Sequence, residues 1–566
     1  MMATGLKSTH PDETKPGRND IYVKSVQYGV QPMIMEKDVA VPLRDGHPLY
    51  ANVFRPTNAG RFPVIIAGDC YGKDSIHQEF AKNIGYTLGG YNCSLFTAWE
   101  GPDPGYWVPN GYVIVKLGLR GNSGSIGKVD PLSWQEAKDY HDAIEWAGIQ
   151  PWSNGNVGMN GVSYLAMCQW RVAQLNPPHL KAMIPWEGVS DMYREWSFHG
   201  GIPETRFSRQ WIVGIKSRNT PGSEIEDLSR MEREHPLFDE YWEGKRGKHE
   251  DIRVPMYVGA SWSTQGLHNR GTIQAFRDAS SKHKWIEIHG RKEWETYYSR
   301  EAHERQKGFF DHFLKGIDNG WTDTPPVRIE VRERFYHGLP RYENEFPIAR
   351  TRYAPLYLAS DRSMNDLKPN AESSVTYDST VLLKYDSKDG RAFFEHRFEQ
   401  DTELTGYMKL RLWVSTDASD DLDLFIGVHK LDKNGNEVFF GGFNHIENGK
   451  VSVGWLRVSH RELDEERSTP HQPWLKHQRL MKVNLNEIVP VDIEILPSST
   501  LFRAGESIRL TIQGSEVPRA EIAPLPAEHS VIRYHHEELV NKGKHIIHFG
   551  GKFDSYLLIP VVPRSP

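Results

Sequence analysis

A short run around Ser163 carries residues suited to acyl transfer. Residues 157–159 are apolar and a good helix former follows at 165–175, so the sequence predicts a strand, a tight turn and a helix. Ser163 lies at the turn, where Gly161 lets the neighbouring backbone pass close enough to hold the hydroxyl in a strained, exposed position. The G-x-S-x-G pattern of a nucleophile elbow is incomplete, because Leu165 stands at its second glycine. An ordinary turn between a strand and a helix is the alternative interpretation.

The segments around this run predict the frame that positions it. Residues 63–67, 113–115 and 157–159 are continuous apolar runs, short enough for buried parallel strands. A helical stretch at 133–148 precedes the third of them. Strands alternating with helices predict a doubly wound, mainly parallel sheet, in which reactive groups gather beyond the carboxyl ends of the strands. Tyr71 and Ser163 are both expected there.

The remaining segments differ in composition, and the chain of 566 residues is too long for one core. Residues 1–30 are predicted to be a polar N-terminal arm, and 31–185 with 254–322 the α/β domain. In between, 186–253 interleaves aromatic residues with charges and turns, which predicts a helical cap over the active site. Residues 323–566 have short alternating runs and turn residues, typical of a C-terminal β-sandwich.

Composition limits the classes of function. The net charge is −6 with both signs mixed along the chain, which argues against nucleic acid as a partner. Three cysteines give no disulfide framework, the N-terminus lacks an apolar signal region, and no apolar run approaches ~20 residues. We therefore expect a cytoplasmic protein that does not engage a membrane. No phosphate-binding loop or zinc-ligand spacing occurs in the sequence, so neither a cofactor nor a metal is expected.

Longer strings in the chain resemble one enzyme family. They include the nucleophile region at 150–164, the turn Tyr71-Gly72-Lys73, an RGxGxS-like loop at 120–125 and a helix at 139–146. Taken in order, they resemble the cocaine esterase and X-prolyl dipeptidyl-peptidase group of α/β-hydrolases, the CocE/NonD hydrolases. The resemblance covers nearly the whole chain. It implies an α/β-hydrolase domain with a helical cap insertion and a C-terminal jelly roll.

The resemblance also implies site residues. Ser163 is the expected nucleophile, the Tyr71 hydroxyl one oxyanion donor, and the backbone N–H of Tyr164 the second. The family's acid follows the next strand, where this chain has the uncharged Thr264. Its histidine follows the last strand, and an ungapped match puts Trp294 there.

The identity of the base is open on these grounds. His289, at the end of the last strand, is preferred because imidazole has a near-neutral pKa that suits both removal and delivery of a proton. Alternatively Glu293 is the general base, or no base linked to Ser163 survives. His268, one short loop after the strand that normally supplies the acid, is a third candidate.

The predicted activity is hydrolysis of an ester or amide of a small organic molecule by a serine nucleophile with a non-standard triad. The changes at Thr264 and Trp294 favour a second interpretation, an enzyme repurposed in biosynthesis, such as secondary metabolism, for acyl transfer, cyclisation, elimination or C–C cleavage. A third is a non-catalytic small-molecule binding protein. No site for a free amine can be placed, so peptidase activity ranks below esterase activity. A homo-oligomer remains open.

Overall fold

The structure, a computed structural model, describes residues 32–83, 93–381, 389–443, 448–517 and 536–563. The predicted arm at 1–30 lies outside these residues. Two large apolar cores occur in the described chain, one in the α/β part and one in the β-rich part that follows it. Among the described residues, no helix combines the length and apolarity needed to cross a membrane.

A mainly parallel sheet forms the centre of the first part. Its strands and the short strands around it are β1 (Met33–Pro42), β2 (Pro48–Pro56), β3 (Phe62–Asp69), β4 (Val113–Gly118), β5 (Lys128–Val129), β6 (Ser153–Val162), β7 (Leu180–Trp186), β8 (Phe198–His199), β9 (Ile202–Pro203), β10 (Glu224–Ile225), β11 (Met256–Ser261) and β12 (Lys284–His289). The order across the sheet is β1-β2-β4-β3-β6-β7-β11-β12. All pairs from β4 onwards are parallel, which confirms the predicted sheet.

Helices flank this sheet, and their apolar faces explain why the strands are buried runs. They are α1 (His77–Asn83), α2 (Pro104–Trp107), α3 (Trp134–Gly148), α4 (Tyr164–Ala173), α5 (Phe207–Lys216), α6 (Leu228–Glu234), α7 (Glu240–Gly244), α8 (Asn269–Asp278), α9 (Glu293–Tyr297) and α10 (Arg300–Lys315). The helix predicted at 133–148 is α3, and the Ser133 hydroxyl caps it by accepting from the Glu136 N–H at 3.2 Å. Strands β4 and β11 are buried along their whole length, as expected for strands covered on both faces.

The segment between β7 and β11 contains α5, α6 and α7, the β8–β9 hairpin and a single π-helical turn at Tyr193–Ser197. Several of its aromatic residues pack on one another. Tyr193 stacks on Phe198 with ring centroids 4.6 Å apart, and Trp242 meets the Tyr193 ring edge-on at 5.5 Å. This segment is the predicted helical cap, and its assignment as a separate domain at 186–253 stays a prediction.

The β-rich part is mainly antiparallel and follows directly on the α/β sheet. Its strands are β13 (Val327–Arg334), β14 (His337–Glu343), β15 (Arg352–Leu358), β16 (Met364–Asn365), β17 (Ser373–Asp378), β18 (Arg391–Arg397), β19 (Thr402–Thr416), β20 (Asp423–Leu431), β21 (Glu437–Val438), β22 (Ser452–Arg457), β23 (Val489–Phe502), β24 (Ser507–Gln513), β25 (Lys544–Phe549) and β26 (Tyr556–Val562). Strand β13 pairs in parallel with β12 and so joins the two parts. The jelly-roll strand order remains a prediction.

The β-rich part fixes the loop that follows β12. Glu330 on β13 accepts the Gly290 N–H at 2.9 Å and pairs with the buried Arg291 guanidinium at 2.7 Å. The next residue, Lys292, is also buried and donates its ammonium to the Gly442 carbonyl at 2.7 Å. Residues 290–292 therefore have their conformation set by contacts to the C-terminal part of the chain.

Glu287 on β12 is the centre of a buried ion network. Its carboxylate binds Arg305 of α10 at 2.7 Å, Arg328 of β13 at 2.6 Å and the Tyr257 hydroxyl at 2.5 Å. Burial raises the pKa of Glu287, but the two guanidinium groups outweigh it and lower the pKa to about 2. The network ties strand β12 to the helix and the strand beside it.

We expect Glu287→Gln to lower the free energy of unfolding of the α/β part by about 3–5 kcal/mol, because it removes the charge that two partly buried guanidinium groups share. Since the folded pKa is depressed, the stabilisation is complete above the unfolded pKa of about 4.3 and is lost as the pH falls towards 2. Urea unfolding at pH 7 and pH 3 measures this. The exposed Glu304 on the same helix as Arg305 gives the control Glu304→Gln. Equal stability of Glu287→Gln and wild type at pH 7 would contradict the prediction.

Candidate active site

Ser163 lies between strand β6 and helix α4 in a strained conformation. Its backbone has φ 57° and ψ −118°, and its N–H donates to the Trp186 and Glu187 carbonyls, each at 3.0 Å. Gly161 is required beside it, because a Cβ there would lie 2.5 Å from the Leu165 Cβ. The predicted strand, tight turn and helix are therefore confirmed. The group close to Gly161 is the Leu165 side chain and not backbone, and Ser163 is buried where the sequence predicted an exposed hydroxyl.

A histidine from the neighbouring loop contacts the serine. His268 ends the loop after β11 and precedes α8, and its Nε2 lies 3.3 Å from Ser163 Oγ. The backbone N–H of His268 donates to the Thr264 carbonyl at 3.1 Å, which fixes the loop. The imidazole is almost fully buried. The third candidate base of the sequence analysis is thus the imidazole that the structure places against Ser163.

Glu293 contacts the other side of the same ring. It is the first residue of α9, in the loop after β12, and its Oε2 lies 3.1 Å from His268 Nδ1. Strands β11 and β12 are parallel neighbours, with Ser261 in register with His289, so the loops that follow them end side by side. The result is a chain of contacts from Ser163 Oγ through the His268 ring to the Glu293 carboxyl.

Burial acts on both members of this pair. It lowers the pKa of His268 to about 4, although Glu187 and Glu195 nearby oppose the shift. Burial also raises the pKa of Glu293, and the charge of Glu187 adds to that effect. Both shifts disfavour the charged forms, and for Glu293 the nearby Lys292 ammonium opposes the shift.

A second carboxyl–imidazole pair lies beside the first. His289 Nε2 is 3.0 Å from Glu187 Oε1, and the Arg291 N–H donates to His289 Nδ1 at 3.3 Å. Because Nδ1 accepts from a backbone N–H, the ring proton is on Nε2, the nitrogen nearest to Glu187. The preferred base candidate, His289, therefore has both ring nitrogens next to groups other than Ser163.

The Glu187 carboxylate also contacts Thr264, the uncharged residue at the family's acid position. Thr264 and Ser261 donate their hydroxyls to Glu187 Oε2 at 2.8 and 2.7 Å. Glu187 follows β7 in a left-handed conformation with φ 50°. The sequence analysis missed it, and the available signal was an acidic residue directly after a buried strand that ends next to β6.

Ligand atoms of Glu187, His268 and Glu293 lie within 4.8 Å of one another, so this group could hold a divalent cation. Each of the three also has a hydrogen-bonding contact to a neighbouring side chain. We therefore describe the group as a hydrogen-bonded network, and the expectation that the protein needs no metal stays a prediction.

Two groups are positioned as donors beside Ser163. Tyr71 follows β3 in a turn where the Asp69 carboxylate accepts the Tyr71 and Gly72 N–H groups at 2.6 and 3.1 Å. Burial raises the pKa of Tyr71 far above its usual range, which keeps the phenol protonated, although hydrogen bonds with Trp211 and Ser163 oppose the shift. The Tyr164 N–H is the first amide of α4 and has no partner within the helix.

The Tyr164 side chain has a separate, structural contact. Its hydroxyl donates to the Glu136 carboxyl of α3, and the ring stacks on Trp211 with centroids 5.4 Å apart. Because the Tyr164 side chain is engaged in these contacts, only its backbone N–H can serve as the predicted oxyanion donor beside Ser163.

A cavity of about 190 Å³ opens in front of these groups. Its polar lining includes Ser163, His268, Glu293, Tyr71 and Glu100. The rest of the wall is largely aromatic and comes from all parts of the chain, with Phe80, Trp99 and Trp294 from the α/β part, Phe207 and Trp211 from the cap segment, and Phe443 from the β-rich part. Residues of the cap segment thus form part of the cavity wall, and its role as a cover over the site stays a prediction.

The sheet order, the strained serine and the inserted cap segment define an α/β-hydrolase. A CocE/NonD family hydrolase from Staphylococcus aureus is 52% identical in sequence, with a TM-score of 0.89 and 99% of each chain covered. The chain belongs to the CocE/NonD family and is a hydrolase.

Further comparisons agree with this assignment. The family model of X-Pro dipeptidyl-peptidase (S15 family) matches residues 45–292, and that of the X-Pro dipeptidyl-peptidase C-terminal non-catalytic domain matches 319–558. Cocaine esterase of Rhodococcus sp. is 24% identical over 93% of this chain and 98% of its own. A putative serine esterase of Mycobacterium bovis is 22% identical over 86% and 91%. An α-amino acid ester hydrolase, 16% identical with a TM-score of 0.71, shares the fold.

Substitution of His289 and substitution of His268 should have different effects on stability and on the reactivity of Ser163. His289→Gln should lower the thermal midpoint of unfolding, because it disturbs the proton donor that the buried Glu187 carboxylate binds. It should leave Ser163 reactive towards a fluorophosphonate. His268→Gln should instead abolish labelling while the protein remains folded, since it removes the imidazole that contacts Ser163. Labelling followed by intact mass measurement separates the two, and loss of labelling only in His289→Gln would contradict the assignment.

Proposed function

We propose that this hydrolase is a serine esterase whose triad is Ser163, His268 and Glu293. The observation that carries the proposal is the contact chain from Ser163 Oγ to His268 Nε2 at 3.3 Å and from His268 Nδ1 to Glu293 Oε2 at 3.1 Å, at the floor of the aromatic cavity. Nucleophile, base and orienting acid are the groups that acyl transfer requires. His268 takes the role for which the sequence favoured His289.

The first half of the reaction forms an acyl-enzyme. With Glu293 ionised, its carboxylate accepts the Nδ1 proton of His268 and leaves Nε2 free to accept the Ser163 proton as Oγ attacks the ester carbonyl. The imidazolium that forms is stabilised by the adjacent carboxylate. The oxyanion of the tetrahedral intermediate is held by the Tyr71 hydroxyl and the Tyr164 N–H. His268 then delivers its proton to the departing alcohol, and the carbonyl reforms as an ester of Ser163.

The second half repeats these steps with water as nucleophile. His268 Nε2 removes a proton from the water, the hydroxide attacks the acyl carbonyl, and Ser163 leaves with the proton returned by His268. Products are a carboxylic acid and an alcohol. Ser163, His268 and Glu293 are all buried, so the developing charges act on one another in a weakly screening environment.

The acid and the base have exchanged loops relative to the arrangement that the family resemblance implies. The family's acid loop follows β11 and its histidine loop follows β12, whereas here β11 leads to His268 and β12 leads to Glu293. Because the two strands are parallel neighbours, either assignment brings an imidazole and a carboxyl together at the same edge of the sheet. The exchange accounts for Thr264 and Trp294 without loss of a triad.

The cavity supports a small ester with an apolar, preferably aromatic, group as substrate. The volume of about 190 Å³ and the wall of Phe, Trp and Tyr side chains suit a compact apolar group, which aromatic faces contact well. The similarity to cocaine esterase supports an ester as the scissile bond. A complete contact chain to Ser163 favours this function over a repurposed biosynthetic enzyme or a binding protein.

The triad predicts a non-additive set of variants. Ser163→Ala should lower kcat by about a million-fold, and His268→Ala should lower it by a similar factor, because members of one catalytic unit fail together. The double variant should be no worse than either single one. Hydrolysis of an aryl ester by the purified protein measures this, with the exposed His283→Ala as a control that keeps full activity. Retention of most activity in Ser163→Ala would rule out covalent serine catalysis.

A further inference from the structure

We propose that the Glu100 carboxyl is a positioning residue that orients the Tyr71 hydroxyl towards the oxyanion, a role that rests on the proposed serine mechanism. Glu100 lines the same cavity as Ser163 and Tyr71. No step assigned above to the triad or to the oxyanion donors uses it. Three features of its surroundings point to this role.

The backbone of Glu100 is fastened to the nucleophile. The residue has φ 63°, a left-handed conformation that is strained for a glutamate. Its carbonyl accepts the N–H of Val162, the residue before Ser163, at 3.0 Å, and its own N–H donates to His77 Nδ1 at 3.3 Å. Such strain persists where surrounding contacts over-determine the position, and here those contacts hold the side chain beside the catalytic serine.

The carboxyl is buried and only half satisfied. Oε1 accepts the Trp294 indole N–H at 3.1 Å, so the residue at the family's histidine position has become a support for Glu100. Oε2 is buried and has no hydrogen-bond partner among the described residues. The Tyr71 hydroxyl is close enough for its interaction to act on the ionisation of Glu100. One oxygen of the carboxyl is therefore available to the oxyanion donor.

The charged and titratable groups around Glu100 favour its neutral form. Burial is the largest effect and raises the pKa of Glu100 far above its usual range, and the carboxyls of Glu293 and Asp69 raise it further. The Trp294 indole and the Tyr71 hydroxyl favour the ionised form, but their effects are outweighed. Other titratable groups nearby are His77, which burial keeps neutral by lowering its pKa to about 3, the protonated phenol of Tyr297 and the Cys70 thiol, and the Arg218 guanidinium lines the same cavity.

The protonation state of Glu100 decides where the Tyr71 proton points. A phenol hydroxyl can both accept and donate hydrogen bonds, and it has only one proton to donate. With Trp211 Nε1 donating to it at 3.2 Å and a neutral Glu100 supplying the second donor, the phenol proton is left for the oxyanion. An ionised Glu100 would accept that proton and place a negative charge next to the developing oxyanion. The neutral acid therefore keeps the oxyanion site ready.

The pH profile of kcat tests this role. A raised pKa means that Glu100 is neutral at low pH and ionises as the pH rises, so wild-type kcat should fall at alkaline pH. Glu100→Gln cannot ionise, and its amide can donate to Tyr71, so kcat should stay high across the range where wild type declines. Glu100→Ala should lower kcat about two- to tenfold at neutral pH, the effect of one neutral hydrogen bond, with little change in KM.

Combining Glu100→Ala with Tyr71→Phe shows whether Glu100 acts on kcat through the Tyr71 hydroxyl. Tyr71→Phe should lower kcat by about a hundred- to a thousand-fold, the loss for one oxyanion donor. In that background Glu100→Ala should have no further effect. The control Glu232→Gln removes another buried carboxyl, whose pKa burial raises to about 8 but which lines a different cavity, and should keep the alkaline decline of wild type.

Fluorophosphonate labelling of Ser163 tests the serine mechanism separately from the role of Glu100. If Ser163 is labelled and essential, but Glu100→Gln keeps the wild-type alkaline decline or Glu100→Ala and Tyr71→Phe combine additively, the role of Glu100 is overturned and the triad stands. If Ser163 is neither labelled nor essential, the serine mechanism and the role of Glu100 fall together. Loss of the alkaline decline in Glu100→Gln, with non-additivity towards Tyr71→Phe, supports the inference.

Discussion

The contact between His268 and Glu293 is the constraint on which the site depends. A carboxyl in an apolar cavity tends to remain neutral, and a general base needs the carboxylate that sets its tautomer, so the two requirements oppose each other. The nearby Lys292 ammonium favours the ionised carboxyl, and the pairing of β11 with β12 fixes the separation of the two groups. Any movement of either loop would break the path from Ser163 to the acid.

Both parts of the chain hold the residues that connect Ser163 with Glu293. The His268 loop is held within the α/β part by its backbone contact to Thr264, whereas the Glu293 loop is held by Glu330 and Gly442 of the β-rich part. The part of the chain that matches the X-Pro dipeptidyl-peptidase C-terminal non-catalytic domain therefore holds residues 290–292, next to Glu293, and supplies Phe443 to the cavity wall. The position of Glu293 and the shape of the cavity thus depend on both parts of the chain.

Two carboxyl–imidazole pairs, Glu187 with His289 and Glu293 with His268, lie side by side. They differ in the hydrogen-bond donors that contact each carboxyl group. Glu187 receives hydroxyl hydrogen bonds from Ser261 and Thr264 on Oε2, and its Oε1 lies 3.0 Å from His289 Nε2. Glu293 contacts His268 and faces the cavity with fewer donors. The first pair thus has the surroundings of a structural element. The second can change its charge state during a reaction, which is what acid–base catalysis requires.

Much of the fold could be predicted from the sequence, because buried parallel strands are continuous apolar runs and the turn at Ser163 needs a small residue at Gly161. Ser163 and Tyr71 could be placed for the same reason, as each directly follows such a strand. The residues that contact Ser163 could not be predicted in this way. His268 and His289 follow neighbouring strands, and only the paths of the two loops decide which ring reaches Ser163. Glu187 and Glu100 were missed because neither belongs to a motif, and their importance arises from burial.

The central claim is that His268, oriented by Glu293, is the imidazole that serves Ser163. Nitrogen-15 NMR of histidine-labelled protein at neutral to mildly alkaline pH tests it most directly. Other histidines, among them His179 and His536, also have Nδ1 beside a carboxylate. The account therefore predicts that one signal with a proton on Nδ1, a bare Nε2 and a downfield Nδ1 proton is lost in His268→Gln and altered in Glu293→Gln. It also predicts that Ser163 modification by a fluorophosphonate shifts this ring. If that signature persists in His268→Gln and disappears in His289→Gln, the account is contradicted.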